Sequence, residues 1–546
     1  MKRFGLTERT LEEYLDGCLG AEESARIDDL LDRSPEFQRY VDEYVNMSLV
    51  GIGGSSDENG GAELDGVRAI GEAMNRLWRE QHQGFEYSAD GAGFLTACAE
   101  SAEDYGEVRD ENCMCESDEN CAPKCCERAP KGIYKRKNDF IGAFSKNFRT
   151  FAAQNNTKKK TTMSKIKYIG CDDADIDIFE SQYPVPQGVS YNSYLLEGAK
   201  VAVMDTADPR RSKEWLGKLD KALNGRKPDY LVVHHMEPDH SGTIGGFMEK
   251  YPETTIVCSV NAQKYMLQFN EGLNAKFEIV KEGSRLDLGN GVTLDFVAAP
   301  MVHWPEVLMS YMAEEKTLFA ADGFGKFGVY DADPENWADE ARRYYFNICG
   351  KYGVNVASVL KKASGLQIER ICPLHGPVLE GEKMAAALGY YVKWSAYEPE
   401  APEAVLVAYA SIHGNTARAA RHFAEVLKRK GAKEVVMIDL TRTDVSYAIS
   451  EAFRVGRVVV AASTYDAGLF PPMHCFLYKL SIKGYQKRRF AIIENGTWAP
   501  MAGKLMRGML EGMKDIEIVE PMVTLMSSMQ TADEAKLSEL AGAILK

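Results

Sequence analysis

The sequence predicts an α/β protein whose ordered part holds two successive layered domains. Three observations carry this. Between Lys167 and Tyr397, short apolar runs alternate with Gly turns and helical stretches, the pattern of mixed strands packed under helices. From Val405 onward, apolar runs are followed by short polar loops and then helices, as in a doubly wound parallel sheet. Between the two, Glu398-Pro399-Glu400-Ala401-Pro402-Glu403 reads as a short rigid linker.

Composition narrows the class. The chain has 546 residues, 45% of them hydrophobic, enough for two or three packed domains. Its net charge of −15 argues against nucleic-acid binding. No apolar run approaches the roughly 18 residues of a membrane span. Met1-Lys2-Arg3-Phe4 is followed by Glu and Asp rather than an apolar stretch, so no signal peptide is expected. Of 12 cysteines, five lie between Cys113 and Cys126; from Ser164 onward only Cys171, Cys258, Cys349, Cys372 and Cys475 occur. Single thiols of this kind suit a cytoplasmic protein.

Taken in order, residues 1–50 read as a small helical segment. Leu11, Tyr14, Leu15 and Leu19 share one helical face. Ser34-Pro35-Glu36 reads as a helix start, and Phe37, Tyr40, Val41 and Tyr44 continue an apolar stripe. The segment weakly resembles the helical N-terminal module of anti-sigma factors, without its zinc ligands; a plain interaction segment is the alternative. Residues 51–162 read as a linker and Cys-rich region of low order. They include a Gly/Ser/Asp/Glu-rich stretch to 66, a helix from Gly66 to Gln83 and basic runs at Lys135-Arg136-Lys137 and Lys158-Lys159-Lys160. The spacing of Cys113, Cys115, Cys121, Cys125 and Cys126 fits no usual zinc pattern; reactive thiols, a disulfide or a metal remain open. The extension is thus expected to be partly helical and partly disordered.

Residues 163–397 form the first layered domain. Strands are expected at Tyr194–Leu196, Val201–Met204, Leu231–Val233, Thr254–Ser259, Val292–Val297, Leu308–Tyr311 and Thr317–Ala321. Helices are expected at Ser212–Leu223, Asn336–Ile348 and Val354–Ala363. The strand at Tyr230–Val233 runs into His235-Met236-Glu237-Pro238-Asp239-His240, which places four potential metal ligands on one loop at a strand end. Such a loop lets successive side chains converge on a point. His303, Asp322 and His375 each stand just after a strand-like run and beside a Gly or Pro or within three residues of one. One such residue means little; three with the cluster form a constellation.

His235-x-Glu237-x-Asp239-His240 with His303, Asp322 and His375 resembles the ligand set of the flavodiiron proteins, or A-type flavoproteins. The resemblance runs from about Ser164 to Lys546. It implies a metallo-β-lactamase-like αββα sandwich followed by a flavodoxin-like domain. The related zinc hydrolases have His where Glu237 stands, and the harder oxygen ligand suits iron better than zinc. The resemblance implies two iron ions, one on His235, Glu237 and His303, the other on Asp239 and His375. Asp322 stands between them, and His240 is a ligand in only part of the family. Met163-Ser164-Lys165 resembles the natural start of such a protein, so residues 1–162 are a fused extension or a neighbouring reading frame joined to this one.

Residues 403–546 carry the second site. After the strand Val405–Tyr409, Ser411-Ile412-His413-Gly414-Asn415-Thr416 leads to a helix opening at Ala417 and running to Lys430. A strand, a small polar loop and a helix N-terminus make an anion site. No P-loop lysine is present, so a nucleoside triphosphate fits poorly. The loop resembles the phosphate loop of flavodoxins, which implies FMN. Ser463-Thr464-Tyr465-Asp466-Ala467-Gly468 and Asn495-Gly496-Thr497-Trp498 follow the strands Val458–Ser463 and Phe490–Glu494, where a sheet of order 2-1-3-4-5 places its flavin. Tyr465 and Trp498 are the aromatic residues to pack on the isoalloxazine.

The resemblance implies an oxidoreductase that passes electrons from an external reductant through FMN to a non-haem diiron site, reducing dioxygen to water, nitric oxide to nitrous oxide, or both. No rubredoxin-like cysteine pairs follow the second domain, so a separate rubredoxin or a flavin reductase is the expected donor. A head-to-tail homodimer or dimer of dimers is expected. A metal-dependent hydrolase with an accessory flavodoxin-like domain is the alternative. No nucleic acid or membrane partner is expected.

Overall fold

Along the strands of the first domain, alternate side chains face opposite layers, and both layers are apolar. Val201 and Val203 pack under helices, while Ala202 and Met204 pack against a second sheet. A strand buried on both faces reads as a continuous apolar run, which is why this one is legible. The computed structural model describes residues 165–332 and 336–546. The expectations for the N-terminal helices, the basic runs and the Cys113–Cys126 cluster lie outside the described residues.

One six-stranded sheet runs in the order Ile166–Tyr168, Tyr194–Glu197, Val201–Met204, Tyr230–Val232, Thr255–Cys258, Lys276–Ile279. A second runs Arg285–Gly289, Val292–Ala298, Leu308–Met312, Thr317–Phe319, Arg370–Cys372, Leu379–Glu380. Leu196, Met204 and Val232 meet Leu288, Phe296 and Phe319 between them. Helix Ser212–Leu223 covers the first sheet through Trp215, Leu219 and Leu223, one every fourth residue. Helices Trp337–Ile348, Gly353–Ala363 and Gly381–Ser395 cover the second. This is an αββα sandwich.

The C-terminal sheet is parallel, in the order Val435–Asp439, Ala401–Ala410, Val455–Tyr465, Arg488–Gly496, then Ile516–Ile518 and Val523–Met526. Helices Asn415–Arg429 and Glu534–Leu545 pack on one face and Val445–Arg454, Pro471–Ile482 and Ala502–Glu511 on the other. This is the 2-1-3-4-5 doubly wound order. Among the described residues, no helix is long and apolar enough to cross a membrane.

The two halves share one apolar core. Phe346 of the sandwich stacks on Phe453 of the parallel-sheet half, with ring centroids 3.9 Å apart. The Arg343 guanidinium, 1% exposed, donates to Ser446 Oγ at 3.1 Å and lies over the Phe327 and Tyr447 rings. Lys483 Nζ donates to the Asn347 carbonyl at 2.6 Å. The stretch expected as a short rigid linker is instead packed into the fold. Ala401 already belongs to the strand, and Glu400 accepts from Arg342 at 2.7 Å and from the Trp394 indole at 2.7 Å. Several further boundaries differ by one or two residues. The helix expected from Ala417 starts at Asn415, and the strand expected to Ala321 stops at Phe319, because Ala321 has φ of 47°.

Candidate functional site: a two-part metal centre and a flavin cleft

The segment after Tyr230–Val232 is only half loop. Pro238 opens a short helix, Pro238–Ser241, so Asp239 and His240 sit on a helical turn, while His235 and Glu237 precede it outside the helix, Glu237 with φ of −59° and ψ of 138°. That change of conformation divides the cluster. Before the helix, His235 and Glu237 point together, His235 Nε2 lying 3.3 Å from Glu237 Oε2. The helical turn carries Asp239 and His240 elsewhere.

The result is two groups. His235, Glu237, His303 and Asp322 each offer one ligand atom within 4.8 Å of the others, and so do Asp239, His240 and His375. His303 Nε2 lies 3.0 Å from Glu237 Oε2 and 3.1 Å from Asp322 Oδ2, and His235 Nε2 lies 3.3 Å from Glu237 Oε2. In the second group His240 Nε2 lies 3.0 Å from His375 Nε2 and 3.2 Å from Asp239 Oδ2. Asp322 reaches both groups. Its Oδ2 faces His303, and its Oδ1 lies 3.2 Å from His240 Nε2. All seven residues expected from the sequence thus converge, His240 included.

The donor set calls for cations. Both carboxylate oxygens of Asp239, Oδ1 of Asp322 and Nδ1 of His240 are buried without hydrogen-bond partners. Buried carboxylates of this density, with oxygens that accept no hydrogen bond, are costly unless a metal supplies positive charge. Without cations the ligands pair with one another. Burial alone would raise the Glu237 carboxyl, but hydrogen bonds to His235 and His303 hold it well below the usual carboxylate range. Burial would lower His303, but Asp322 and Glu237 push it up to about 9.

The supporting residues escaped the sequence reading. Glu306 accepts from the Met236 N–H at 2.9 Å and lies 2.8 Å from His235 Nδ1. His375 Nδ1 donates to the Ser190 carbonyl at 2.7 Å. His234 bridges Asp205 and Ser310 at 2.6 and 2.8 Å. Gly376 has φ of +76°, and a Cβ there would meet Lys326 Cγ at 2.5 Å, so only glycine lets the chain turn after His375. A cleft of about 290 Å³ lined by Glu180, Arg210, Glu237 and Asp239 opens onto the centre.

The second site is a cleft of about 510 Å³ at the carboxyl ends of the parallel strands. Ser411, Ile412, His413, Asn415 and Thr416 form one wall; Ser463, Thr464, Tyr465, Asp466 and Ala467 a second; Asn495, Gly496, Thr497 and Trp498 a third. Of the expected residues, Gly414 and Gly468 do not line it, whereas Ala499, Met501 and Ser527 do. Gly414 has φ of +85°, and a Cβ there would meet nothing within 4 Å, so it serves the turn rather than a close approach. The Thr416 and Ser463 hydroxyls lie 2.9 Å apart, and Asn495 Nδ2 donates to Thr416 Oγ1 at 3.3 Å. Trp498 is 80% exposed and Tyr465 47%, leaving two aromatic faces free at the rim. The volume lies in the range of small-molecule sites, and the hydroxyl-lined helix N-terminus suits a phosphate.

Residues 189–376 match the family described as ODP family beta lactamase. The anaerobic nitric oxide reductase flavorubredoxin of Aliivibrio fischeri is 27% identical over 345 residues, 61% of this chain and 69% of that one. The putative diflavin flavoprotein A 2 of Synechocystis is 33% identical over 283 residues, and the match spans 48% of its length, about half. Among solved structures, rubredoxin oxygen:oxidoreductase from Desulfovibrio gigas superposes with a TM-score of 0.66 at 26% identity, covering 71% of this chain and 98% of that one. A flavodiiron protein from Giardia intestinalis shares the fold with a TM-score of 0.66 at 23% identity over 72% of this chain and 96% of that one. With a β-lactamase-family match inside the sandwich, a doubly wound sheet after it, and likeness to these proteins across both halves, the chain is similar to the flavodiiron proteins.

Proposed function

We propose that the chain is an oxidoreductase that takes electrons from an external reductant through FMN to a non-haem diiron site, where dioxygen is reduced to water, nitric oxide to nitrous oxide, or both. The observation that carries this reading is Asp322, whose two oxygens face two separate groups of buried ligands. When bound, FMN would exchange electrons singly with the external reductant, and the paired irons would hold two at a time toward the four that dioxygen needs or the two that a pair of nitric oxide molecules needs. His235, Glu237 and His303 would hold one iron, and Asp239, His240 and His375 the other. The phosphate loop from Ser411 to Thr416 would hold the FMN phosphate, with Tyr465 and Trp498 beside the ring. The donor would be a rubredoxin or a flavin reductase, and the compartment the cytoplasm.

A head-to-tail homodimer would bring one copy's flavin to the other's irons. The strand Val455–Tyr465 starts beside the shared interface at Phe453 and ends at the flavin cleft. Eleven residues of strand put roughly 33 Å between that interface and the flavin. That separation is long for electron transfer within one chain. The exposed Trp498 and Tyr465 offer a face for the partner.

Metal and flavin analysis of purified protein, with rates for each gas from chemically reduced protein, tests the reading. Near two irons and one FMN per chain with gas reduction are expected. Zinc at full occupancy with hydrolase activity, in protein grown with ample iron, would overturn it. A chain starting at Met163 is expected to keep both cofactors; loss of either would assign the extension a role in the core.

A further inference from the structure

The two ligand groups are supported unequally. His235 turns Nε2 toward Glu237 and Asp322, while its Nδ1 lies 2.8 Å from Glu306 Oε1. Glu306 is fully buried, and the Met236 N–H at 2.9 Å fixes the same oxygen. Its other oxygen, Oε2, is buried with no partner. In the second group, His375 Nδ1 is held by a neutral carbonyl, that of Ser190, and His240 Nδ1 has no partner. Asp322 is shared, and each group has one carboxylate of its own, Glu237 or Asp239. The first group therefore has one more negative charge behind it, delivered through an imidazole. A carboxylate behind a metal-bound histidine raises the basicity of the ring and fixes its tautomer. Glu306 and His303 lie in the same loop, between strands Val292–Ala298 and Leu308–Met312.

We propose that Glu306 is a positioning residue that ranks the two metal positions, so that the one formed by His235, Glu237 and His303 fills first and holds its ion more tightly. This rests on the two-metal reading above and deepens it. Glu306 touches no metal; it acts through His235.

The test is an anaerobic titration of the full-length, FMN-loaded, metal-stripped protein with Co²⁺, read by its visible bands, without reference to turnover. The parent protein should bind two ions in two steps. His303→Ala should lose the tighter step and His375→Ala the weaker one. Glu306→Gln keeps the side-chain shape and an acceptor for Met236 but removes the charge. It should weaken the tighter step by roughly 10–100-fold and move the weaker one by less than about 3-fold. Glu306→Asp, which keeps the charge at a longer reach, should fall between. An unchanged tighter step in folded Glu306→Gln, or equal weakening of both steps, overturns the proposal. If the Glu306 variants fail to fold, the order still decides: loss of the tighter step in His375→Ala overturns it. A single bound ion in the parent would instead remove the two-metal reading itself.

Discussion

The metal centre draws seven side chains from four separated segments, and the most exposed of those side chains, Glu237, is only 16% open to solvent. The flavin cleft draws on three loops at strand ends, with Trp498 80% exposed at its rim. The first site is made of side chains held by packing. The second is made of loops held at the carboxyl ends of strands and of a helix N-terminus, whose backbone N–H groups would meet a phosphate. Where side chains do the holding, one substitution removes a site. Where backbone does it, a single truncation should be tolerated and only an introduced charge should be fatal.

Asp322→Ala is the largest expected effect. Its two oxygens serve both groups, so its loss should release both metals and bring gas reduction to background. FMN content should be unchanged, since no residue of the cleft touches Asp322. Metal analysis beside the flavin absorbance checks both halves of the statement. Loss of flavin together with metal would break the contrast.

The flavin side calls for a graded response. Thr416→Ala removes hydroxyl contacts with Ser463 and Asn495, costing about 1 kcal/mol or roughly 5-fold in FMN affinity. Ser411→Asp with Thr416→Asp should abolish binding, because two carboxylates would face the phosphate, while the metals stay. Fluorescence titration of flavin-free protein measures both. In the proposed head-to-tail dimer, mixing the double variant with Asp322→Ala would set one intact flavin against one intact metal site of the other chain. Partial recovery of gas reduction is expected. Mixed dimers that stay inactive would mean that electrons travel within one chain.

The same contrast governs what could be read from the residues. Helix Ser212–Leu223 and strand Val201–Met204 follow the expected bounds, because their periodicity is local. The ligands were legible because four fall within six residues and the others stand at strand ends. Glu306 was not, because its partner His235 lies 71 positions away and a lone Glu after Pro305 carries no local signal. The Glu398–Glu403 stretch misled for the same reason. Its composition is that of a spacer, but the partner that pins Glu400 is Arg342, 58 residues earlier. The residues of the helical turn Pro238–Ser241 predict a loop, because Pro and polar residues in a row look like a turn. In the fold, Pro238 takes the first helical position, where its missing N–H costs nothing.

A last expected effect concerns the surface where the two regions meet. Lys483 follows helix Pro471–Ile482 and donates to the Asn347 carbonyl across the interface. Burial, reinforced by nearby Lys479, lowers its pKa from 10.5 to about 8. The unfolded chain keeps the ordinary lysine value, so below pH 8 both states are protonated and the full desolvation cost stands. Between about pH 8 and 10 the folded protein sheds the proton while the unfolded chain keeps it. The unfolded state then binds more protons, so stability rises with pH across that window. The contribution amounts to on the order of 1–2 kcal/mol. Lys483→Met should remove this rise, leaving a flatter dependence of the urea midpoint between pH 8 and 10. A variant whose pH dependence matches the parent would mean that water reaches Lys483. The interface would then be looser than the Phe346–Phe453 stack implies, and the two regions would behave as separately stable domains.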